Sequence, residues 1–397
     1  MSGSTFDVVV AGGGPVGWAC ALAARLALGS RARVAVVERD ALPELSSTTP
    51  LSARVYTVAA GNLAWLAQQG VQFDAARSAS VREIIVRGRD GGESLRIGGR
   101  DARQDELARV IEHEALTLAI ANRAQHLGVH LRAGQGAALH NGDDSKLLEL
   151  SDREMLGARL VVVADGARST LRAEAGIAAS DHPYAHHGVV AHLACSGPHR
   201  SAARQWFLPD GSILALLPLP EVADGHAVSM VWSSHPDRAD ALCAMTEAEL
   251  LDEINTASRH RVQVVRMLGP AGRFPLTLVR AADPVAERVV VVGDAAHAVH
   301  PLAGQGVNLG IADARALHDV WLEAPKVNGD AGHALLLGRY RRQRFGPTLA
   351  MQLATDGLFR LYNQVDHPVL MAAGDAGMRL LGRLPAFRRT LSTAALQ

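Results

Sequence analysis

Cysteine is scarce in this chain. Its 397 residues include only Cys20, Cys195 and Cys243, which are far apart, and no CxxC pair occurs. An odd number of widely spaced cysteines argues against a disulfide framework and against a zinc site, and it favours a reducing compartment. We therefore expect neither a structural disulfide nor a bound metal.

Net charge and long apolar runs are missing too. Forty basic and forty acidic residues cancel, so no overall field attracts the chain to nucleic acid, and no nucleic-acid partner is expected. No apolar run approaches the roughly 18 residues that a membrane-spanning helix needs. The sequence does not open with a basic segment followed by an apolar stretch, so a signal peptide is not expected. These absences predict a cytoplasmic protein for which any membrane contact is peripheral, at the inner face of the membrane.

Length and pattern predict two domains and a helical tail. A chain of 397 residues exceeds one simple core. Two strands joined by Asp90-Gly91-Gly92 are predicted over 80–89 and 93–97, and an alternating pattern with hairpin signals runs from about 179 to 280. We predict an α/β fold with three parts: a discontinuous Rossmann-like domain (1–70, 101–178 and 281–350), an inserted mixed or antiparallel β-sheet domain (71–100 and 179–280), and a C-terminal helical segment (351–397).

The first motif lies near the N-terminus. Gly12-Gly13-Gly14-Pro15-Val16-Gly17 follows a β-branched run, Phe6 to Ala11, and precedes an alanine-rich segment of helical spacing. Glu38 closes the next predicted strand, at the spacing of the acid that accepts a ribose hydroxyl in dinucleotide-binding βαβ units. In this context the glycines predict a bound dinucleotide. The glutamate favours the adenosine of FAD or NAD over a 2′-phosphorylated one.

A second turn, Asp165-Gly166, follows the apolar run Arg159 to Ala164. Aspartate and the adjoining Ser169-Thr170 suit a tight turn and a helix N-cap as well as a ligand site, so both interpretations stay open for this segment alone. The carboxyl ends of parallel strands share one edge of a sheet, where ligands bind. One long ligand, or two converging ones, would explain turns after several such strands.

The third and most specific stretch spans 288–317. Val289 to Val292 is predicted to be a buried parallel strand, Gly293-Asp294 follows it, and Gly304-Gln305-Gly306 opens an apolar segment of helical period. A helix N-terminus with small residues exposes bare N–H groups, and its dipole favours negative charge. The stretch therefore predicts a site for a group that carries or develops anionic charge.

Together these motifs resemble those of the single-component FAD-dependent aromatic hydroxylases, the class of para-hydroxybenzoate hydroxylase. The run His300 to Gly310 (HPLAGQGVNLG), followed by Asp313, is similar to the signature of their ubiquinone-biosynthesis branch. Asp165-Gly166 is similar to the family's DG motif and Gly293-Asp294 to its GD motif. The resemblance covers nearly the whole chain in the right order. It implies that the Rossmann-like domain is an FAD-binding domain and that the inserted sheet is the substrate-binding domain. It also implies NAD(P)H as electron donor and hydroxylation of an aromatic, polyprenylated ring through a flavin C4a-hydroperoxide.

The resemblance also implies which residues contact the cofactor. Pro301 would form a rigid wall at the reactive face of the flavin, and no side chain stands out as a catalytic base, so the catalytic residue is unknown. The sequence has no HExxH or GxSxG motif that would indicate other hydrolytic or metal chemistry. The residues expected to bind the cofactors are Gly12, Gly14, Pro15, Val16, Gly17, Glu38, Arg39, Arg54, Asp165, Gly166, Gly293, Asp294, Pro301, Gly304, Gln305, Gly306, Val307 and Asn308.

Two positions depart from the family pattern. Ser52 stands where the family usually has an acid, two residues before the arginine matched to Arg54, and His113 stands where it often has asparagine. Tyr184 and the pair His186-His187 could assist deprotonation of a phenol. Histidine is frequent in this chain, with 17 in all, so a histidine at a given position is more often structural than catalytic. We therefore expect a structural role for His186 and His187.

Other functions on this fold stay open. They are hydroxylation of another aromatic or a polyketide, an FAD-dependent reductase or halogenase, and a flavin-binding scaffold without turnover. The HPLAGQGVNLG run favours hydroxylation. The arginine-rich apolar tail suits a helix packed on the core or a contact with a second copy, and less well a membrane surface. Association with other proteins of the ubiquinone pathway is a further alternative.

Overall fold

The computed structural model describes residues 6–46, 49–99, 104–222, 225–299 and 305–363. Within these ranges the chain forms a largely parallel sheet, a mixed sheet and a small three-stranded sheet, with helices packed on them. The predicted α/β class, with a Rossmann-like part and an inserted mixed sheet, is confirmed. The helices are Pro15–Leu28, Ala60–Gln68, His113–His126, Thr170–Glu174, Pro236–Ala244, Glu247–Ala257, Asp294–His297, Gly306–Trp321 and Ala334–Asn363, with 3-10 turns at Ala75–Arg77 and Ala324–Val327.

The parallel sheet places the predicted motifs at one edge. Its β-branched strands are buried on both faces, which explains their continuous apolar runs. At its centre, five strands run parallel in the spatial order His130–Ala133, Val34–Glu38, Phe6–Ala11, Met155–Val163 and Val289–Val291. Three further strands extend it antiparallel: Val285–Ala286, Lys146–Leu150 and Gly136–Asn141. Because the central strands point the same way, the turns after residues 11, 163 and 291 lie together.

Two helices pack tightly beneath these turns. Pro15–Leu28 and Gly306–Trp321 contact each other, and a Cβ at Gly310 would lie 2.4 Å from Cγ2 of Val16. A Cβ never approaches another atom so closely, so a glycine is required at 310 for this contact. The same close approach fixes the start of both helices against the sheet edge.

The mixed sheet forms the second layer. Pro236–Ala244 and Glu247–Ala257 cover one face, against the buried Trp206 and Trp232. Neighbouring strands are antiparallel except for Glu83–Arg87 beside Ala202–Phe207, which run parallel. The strand order is Val264–Met267, Ala179–Cys195, His226–Ser234, Ile213–Pro218, Ala202–Phe207, Glu83–Arg87 and Glu93–Gly98, and Gly272–Ala281 also pairs with Ala179–Cys195.

The small sheet corrects one strand prediction. The predicted strand over 80–89 is in fact two strands, Ser78–Val81 and Glu83–Arg87, which belong to different sheets. Ser78–Val81 pairs with Ala108–Glu112, which also pairs with Val55–Ala59. The consecutive polar residues Arg82 and Glu83 interrupt the apolar alternation at this point, but the interruption does not reveal which strands the two halves pair with.

The last described helix crosses a predicted domain boundary. Ala334–Asn363 continues through residue 350 and contains Pro347. Beyond residue 350 the helix contacts the mixed sheet. Gln352 accepts a hydrogen bond from Nε of Arg280 (2.8 Å) and donates one to the carbonyl of Val279 (3.0 Å). The domain limits themselves stay predictions, and residues 364–397 lie outside the described residues. Among the helices that are described, none is both long and apolar enough to span a bilayer.

Candidate functional site

The space around the glycine differs among three positions of the first motif. Gly12 has a φ of +113°, and a Cβ there would lie 2.3 Å from the carbonyl oxygen of Ala164. A Cβ at Gly17 would lie 1.9 Å from the carbonyl oxygen of Gly12. A Cβ at Gly14 would meet nothing within 4 Å. Gly12 and Gly17 are therefore needed for packing, whereas Gly14 leaves open space before the helix that begins at Pro15.

Glu38 lies where the sequence predicts it, at the end of its strand and next to the glycine turn. Its Oε2 accepts a hydrogen bond from the N–H of Gly13 at 2.6 Å, and its Oε1 accepts one from the N–H of Arg39 at 2.8 Å. These two bonds fix the carboxylate beside the turn. The guanidinium of Arg39 pairs with Asp40 at 3.2 Å and is exposed, so a contact between Arg39 and a cofactor stays a prediction.

The second turn combines both interpretations of its sequence. Oγ of Ser169 accepts a hydrogen bond from the N–H of Arg172 at 3.0 Å, so Ser169 is the helix cap. Burial raises the pKa of the Asp165 carboxyl, although a hydrogen bond with Ser169 opposes this. Gly166 has a φ of +90°, and a Cβ there would meet nothing within 4 Å, so the turn is open at the sheet edge.

The third turn joins Asp294 to the start of the long helix. Gly293 has a φ of +57°, and its N–H donates to Oδ2 of Asp313 at 2.9 Å. A Cβ at Gly306 would lie 3.5 Å from Oδ1 of Asp294. The helix Gly306–Trp321 therefore begins beside this carboxylate, and its first N–H groups have no partners within the helix. The sequence predicts a site for developing negative charge at this position, and binding there stays a prediction.

Asp313 supports that turn from below, a role that the sequence motif did not reveal. It is fully buried, with His297 Nε2 at 2.6 Å and Arg344 Nε at 2.6 Å. Burial alone would raise the pKa of Asp313, but the neighbouring His297 and Arg344 outweigh it and lower the pKa to about 2. The carboxylate is therefore charged, and it ties the Gly293 turn to the last helix.

Arg54 is brought to the third turn although 240 residues separate it from Asp294 in sequence number. Its Nη2 lies 3.8 Å from Oδ2 of Asp294, and its guanidinium lies 4.9 Å from the ring centroid of Tyr56. The hydroxyl of Tyr56 is 3.1 Å from Nδ1 of His113. Burial lowers the pKa of His113, and the charge of Arg54 lowers it further. Arg54 and Asp294 are both partly exposed and can exchange this weak contact for contacts to a ligand.

A buried ion pair holds the segment that leads to Arg54. Arg77 and Glu112 lie 3.1 Å apart and are both almost inaccessible to solvent. Nη2 of Arg77 donates to the carbonyls of Ser46 and Thr49 at 2.6 and 2.7 Å, and Oε2 of Glu112 accepts from the N–H of Ser52 at 2.7 Å. Sequence reasoning missed this pair, because nothing in the local pattern connects the two residues.

The remaining predicted residues have different surroundings. The side chain of Asn308 is buried and committed to protein: its Oδ1 accepts from the N–H of Ala59 and its Nδ2 donates to the carbonyl of Thr57, both at 2.8 Å. Gln305 and Val307 lie at the start of the same helix. Their contacts to a cofactor stay predictions. Pro301 and Gly304 lie outside the described residues.

Tyr184 and His186 pack against the last helix. The ring centroids of both lie within 5.0 Å of that of Phe359, and Nδ1 of His186 is 3.1 Å from Oγ of Ser233. Burial lowers the pKa of His186 to about 4. His187 contacts Arg273 at 3.1 Å. These contacts support the expected structural role of the two histidines.

The residues fit FAD. An open cradle at Gly14 before a helix start suits a pyrophosphate, the fixed Glu38 suits ribose hydroxyls, and Asp294 with the helix start at Gly306 suits the flavin end. A parallel sheet carrying such turns, with a mixed sheet as second layer, is the architecture of a protein that binds FAD. Residues 5–351 match the family described as FAD binding domain, and the chain belongs to this family.

Similar proteins place it within one branch. The chain is 32% identical over 371 residues to the ubiquinone hydroxylase UbiL of Rhodospirillum rubrum, covering 92% of this chain and 84% of that protein. It is 32% identical over 389 residues to the 3-demethoxyubiquinol 3-hydroxylase of Escherichia coli strain K12, covering 95% and 97%. The chain belongs with these ubiquinone-biosynthesis hydroxylases, as the sequence motifs predict.

A solved structure supports the fold. The p-nitrophenol 4-monooxygenase PnpA of Pseudomonas putida DLL-E4 superposes with a TM-score of 0.76 at 22% identity, covering 98% of this chain and 97% of that one. At this identity the likeness concerns the fold alone.

Proposed function

We propose that the protein hydroxylates the ring of a polyprenylated phenol or benzoquinol intermediate of ubiquinone biosynthesis, with NAD(P)H and O2 as co-substrates. The observation that carries this proposal is the meeting of the three turns at one sheet edge, with Arg54 beside Asp294. Its support is the 32% identity to UbiL, a ubiquinone hydroxylase, over 92% of the chain. The name of the E. coli relative, a 3-demethoxyubiquinol 3-hydroxylase, supports a quinol ring as substrate.

Bound FAD would accept two electrons from NAD(P)H and mediate transfer of one oxygen atom of O2 to the ring. The chain would hold it along the edge of the parallel sheet, with the diphosphate at Gly14 and the adenosine ribose at Glu38. Asp294 would accept hydrogen bonds from hydroxyls between the two ends of the cofactor. None of these residues needs to react.

The start of Gly306–Trp321 would stabilise charge. The N–H groups of Gly306 and Val307 and the helix dipole favour an anion at this point. The carboxylate of Asp294 lies close to this helix start, because its Oδ1 would be 3.5 Å from a Cβ at Gly306. Its negative charge limits how much further negative charge the site tolerates, and the guanidinium of Arg54 partly offsets it. The arrangement suits a group that is neutral in one state and anionic in another.

The mixed sheet would exclude water and orient the substrate. An activated phenol supplies its own electron density, so the protein needs mainly to position the ring and desolvate it. His186 is uncharged near neutral pH and bonded to Ser233, which suits packing and not proton transfer. Because a polyprenyl chain partitions into lipid, we place the reaction in the cytoplasm, at the inner face of the membrane.

The experiment combines cofactor and product analysis. The purified protein is expected to be yellow, and Asp294→Ala is expected to lose most of its FAD. Without FAD, the unfolding temperatures of the variant and the wild type are expected to agree within a few degrees. NAD(P)H oxidation is expected to rise with a prenylated phenol. Quinone profiling by mass spectrometry in a strain without the gene is expected to show a missing ring hydroxyl. A colourless wild type would refute FAD binding, and an unchanged quinone profile would refute the pathway.

A further inference from the structure

Arginines gather on the face of the mixed sheet that the two helices cover. In the strand register, Arg204 lies beside Ile85, and Ile85 lies beside Arg96 on the next strand. Neighbours in register share a face of the sheet, and Arg87 lies beside Trp206, two residues after Arg204 in its strand, so Arg87 points the same way. The guanidinium groups of Arg87, on the middle strand, and of Arg96 and Arg204, on the two neighbouring strands, therefore lie on one face of the sheet.

A turn after the second covering helix adds two more arginines. Arg259 and His260 are consecutive non-glycine residues with φ values of 54° and 53°, a conformation that side chains rarely adopt. Oγ of Ser258 bonds the carbonyls of Asn255 and Val262 and holds this turn. A Cβ at Gly91 would lie 2.0 Å from Cζ of Arg259. The strained turn therefore places Arg259 directly against the hairpin that carries Arg87.

Charge within this group is not balanced. We call Arg87, Arg96, Arg204, Arg259 and Arg261 the arginine cluster. Among the described residues, the ion pairs of this cluster involve two carboxylates, those of Glu83 and Glu93, so positive charge is in excess.

The contacts of these carboxylates explain why they do not neutralise Arg87. Glu83 and Glu93 each lie 2.7 Å from Arg96, whereas Glu93 is 3.8 Å from Arg87. Nε of Arg87 is buried and has no partner among the described residues. Burial lowers the pKa of Arg87, and the nearby Arg261 lowers it further.

We propose that the arginine cluster binds a phosphate group. A phosphate dianion would neutralise the excess charge and offer acceptors to Arg87 and Arg261, and planar guanidinium groups bind phosphate oxygens in pairs. The site is separate from the turns of the parallel sheet. Its face packs against the helices Pro236–Ala244 and Glu247–Ala257, while Ile84, on the opposite face of the strand, packs with the small sheet. The phosphate belongs either to a free phosphorylated compound or to a phospholipid headgroup.

Thermal unfolding of the full-length holoenzyme tests the site with inorganic phosphate. At constant ionic strength, phosphate is expected to raise the unfolding temperature of the wild type more than chloride does. Arg87→Gln and the exposed Arg261→Gln are expected to weaken phosphate binding at least tenfold. Without phosphate, Arg261→Gln is expected to unfold no earlier than the wild type, because it removes repulsion. Arg132→Gln, on the parallel sheet and paired with Glu154, is the matched control and is expected to bind as the wild type does.

Vesicle sedimentation distinguishes the two sources. If the group is a phospholipid headgroup, vesicles of phosphatidylglycerol are expected to bind the wild type, vesicles of phosphatidylcholine much less, and Arg261→Gln to lose at least tenfold in affinity. If it is a free compound, inorganic phosphate binds and vesicles of both kinds do not. Equal effects of phosphate and chloride without selective vesicle binding, or equal binding by the wild type and both cluster variants, would overturn the proposal. FAD absorbance in each variant reports separately on the cofactor site.

Discussion

His192 of the mixed sheet contacts the segment that leads to Arg54: its Nε2 lies 2.5 Å from the carbonyl oxygen of Ser52. A carbonyl can only accept, so Nε2 carries the hydrogen. The N–H of the same Ser52 donates to buried Glu112 at 2.7 Å, and its Oγ lies 3.2 Å from the carbonyl oxygen of Arg54. Ser52, where the family usually has an acid, is thus held from both sides, and Glu112 supplies a carboxylate from another strand.

Replacing His192 tests this connection. His192→Leu is expected to lower the free energy of unfolding by about 1–3 kcal/mol, because it leaves a buried carbonyl without its donor. FAD affinity is expected to fall as well, since the loosened segment carries Arg54. His192→Gln, which keeps a donor, is expected to recover most of both losses. Denaturant unfolding and FAD titration of the apoprotein measure them; a Leu variant with wild-type values in both would contradict the role.

Gly14 and Gly17 form a matched pair for cofactor binding. Gly17→Ala is expected to destabilise the fold severely, because its Cβ would lie 1.9 Å from a backbone oxygen. Gly14→Ala is expected to fold normally, since its φ of −71° suits alanine and its Cβ meets no protein atom. It should nevertheless bind FAD at least tenfold more weakly. Circular dichroism and flavin fluorescence separate the two effects, and tight FAD binding by Gly14→Ala would show that the open space is not the cofactor's.

The buried pair Asp313–Arg344 offers a stability test. Asp313→Asn is expected to cost roughly 3–5 kcal/mol, because the buried guanidinium loses its counter-charge. The double variant Asp313→Leu/Arg344→Met is expected to cost less than the sum of its single changes, since no unpaired charge remains. Urea unfolding of the four proteins of the cycle measures the coupling. Additive costs would mean that the two side chains do not depend on each other.

His186 predicts a pH dependence. Its pKa is lowered from 6.5 to about 4, so below pH 6.5 the unfolded chain binds a proton that the folded chain does not. The contribution of His186 to the free energy of unfolding is therefore complete above pH 6.5. It declines as the pH falls toward 4, by at most roughly 3 kcal/mol at 1.4 kcal/mol per pH unit. His186→Asn, which keeps a polar contact to Ser233, is expected to show a smaller decline. Unfolding measured from pH 7.5 to 4.5 checks this, and parallel curves for both proteins would assign the decline to other groups.

Local pattern sufficed for the strands and turns of the parallel sheet. The β-branched runs before residues 12, 165 and 293 became buried parallel strands, and their carboxyl ends had to share one edge. Residue 82 shows the limit of such patterns. Two consecutive polar residues, Arg82 and Glu83, interrupt the alternation there. They do not reveal that Ser78–Val81 pairs with Ala108–Glu112 whereas Glu83–Arg87 pairs with Ala202–Phe207.

The sequence by itself determined the class of the protein, because glycines that avoid a clash and acids at strand ends are fixed by local geometry. Only the tertiary structure decided which distant side chains meet. Arg54 beside Asp294, Arg77 on Glu112 and the arginine cluster each join residues from separate strands or helices. Their proximity depends on strand order and register, and these are set by the packing of the whole chain and not by the residues on either side of each one.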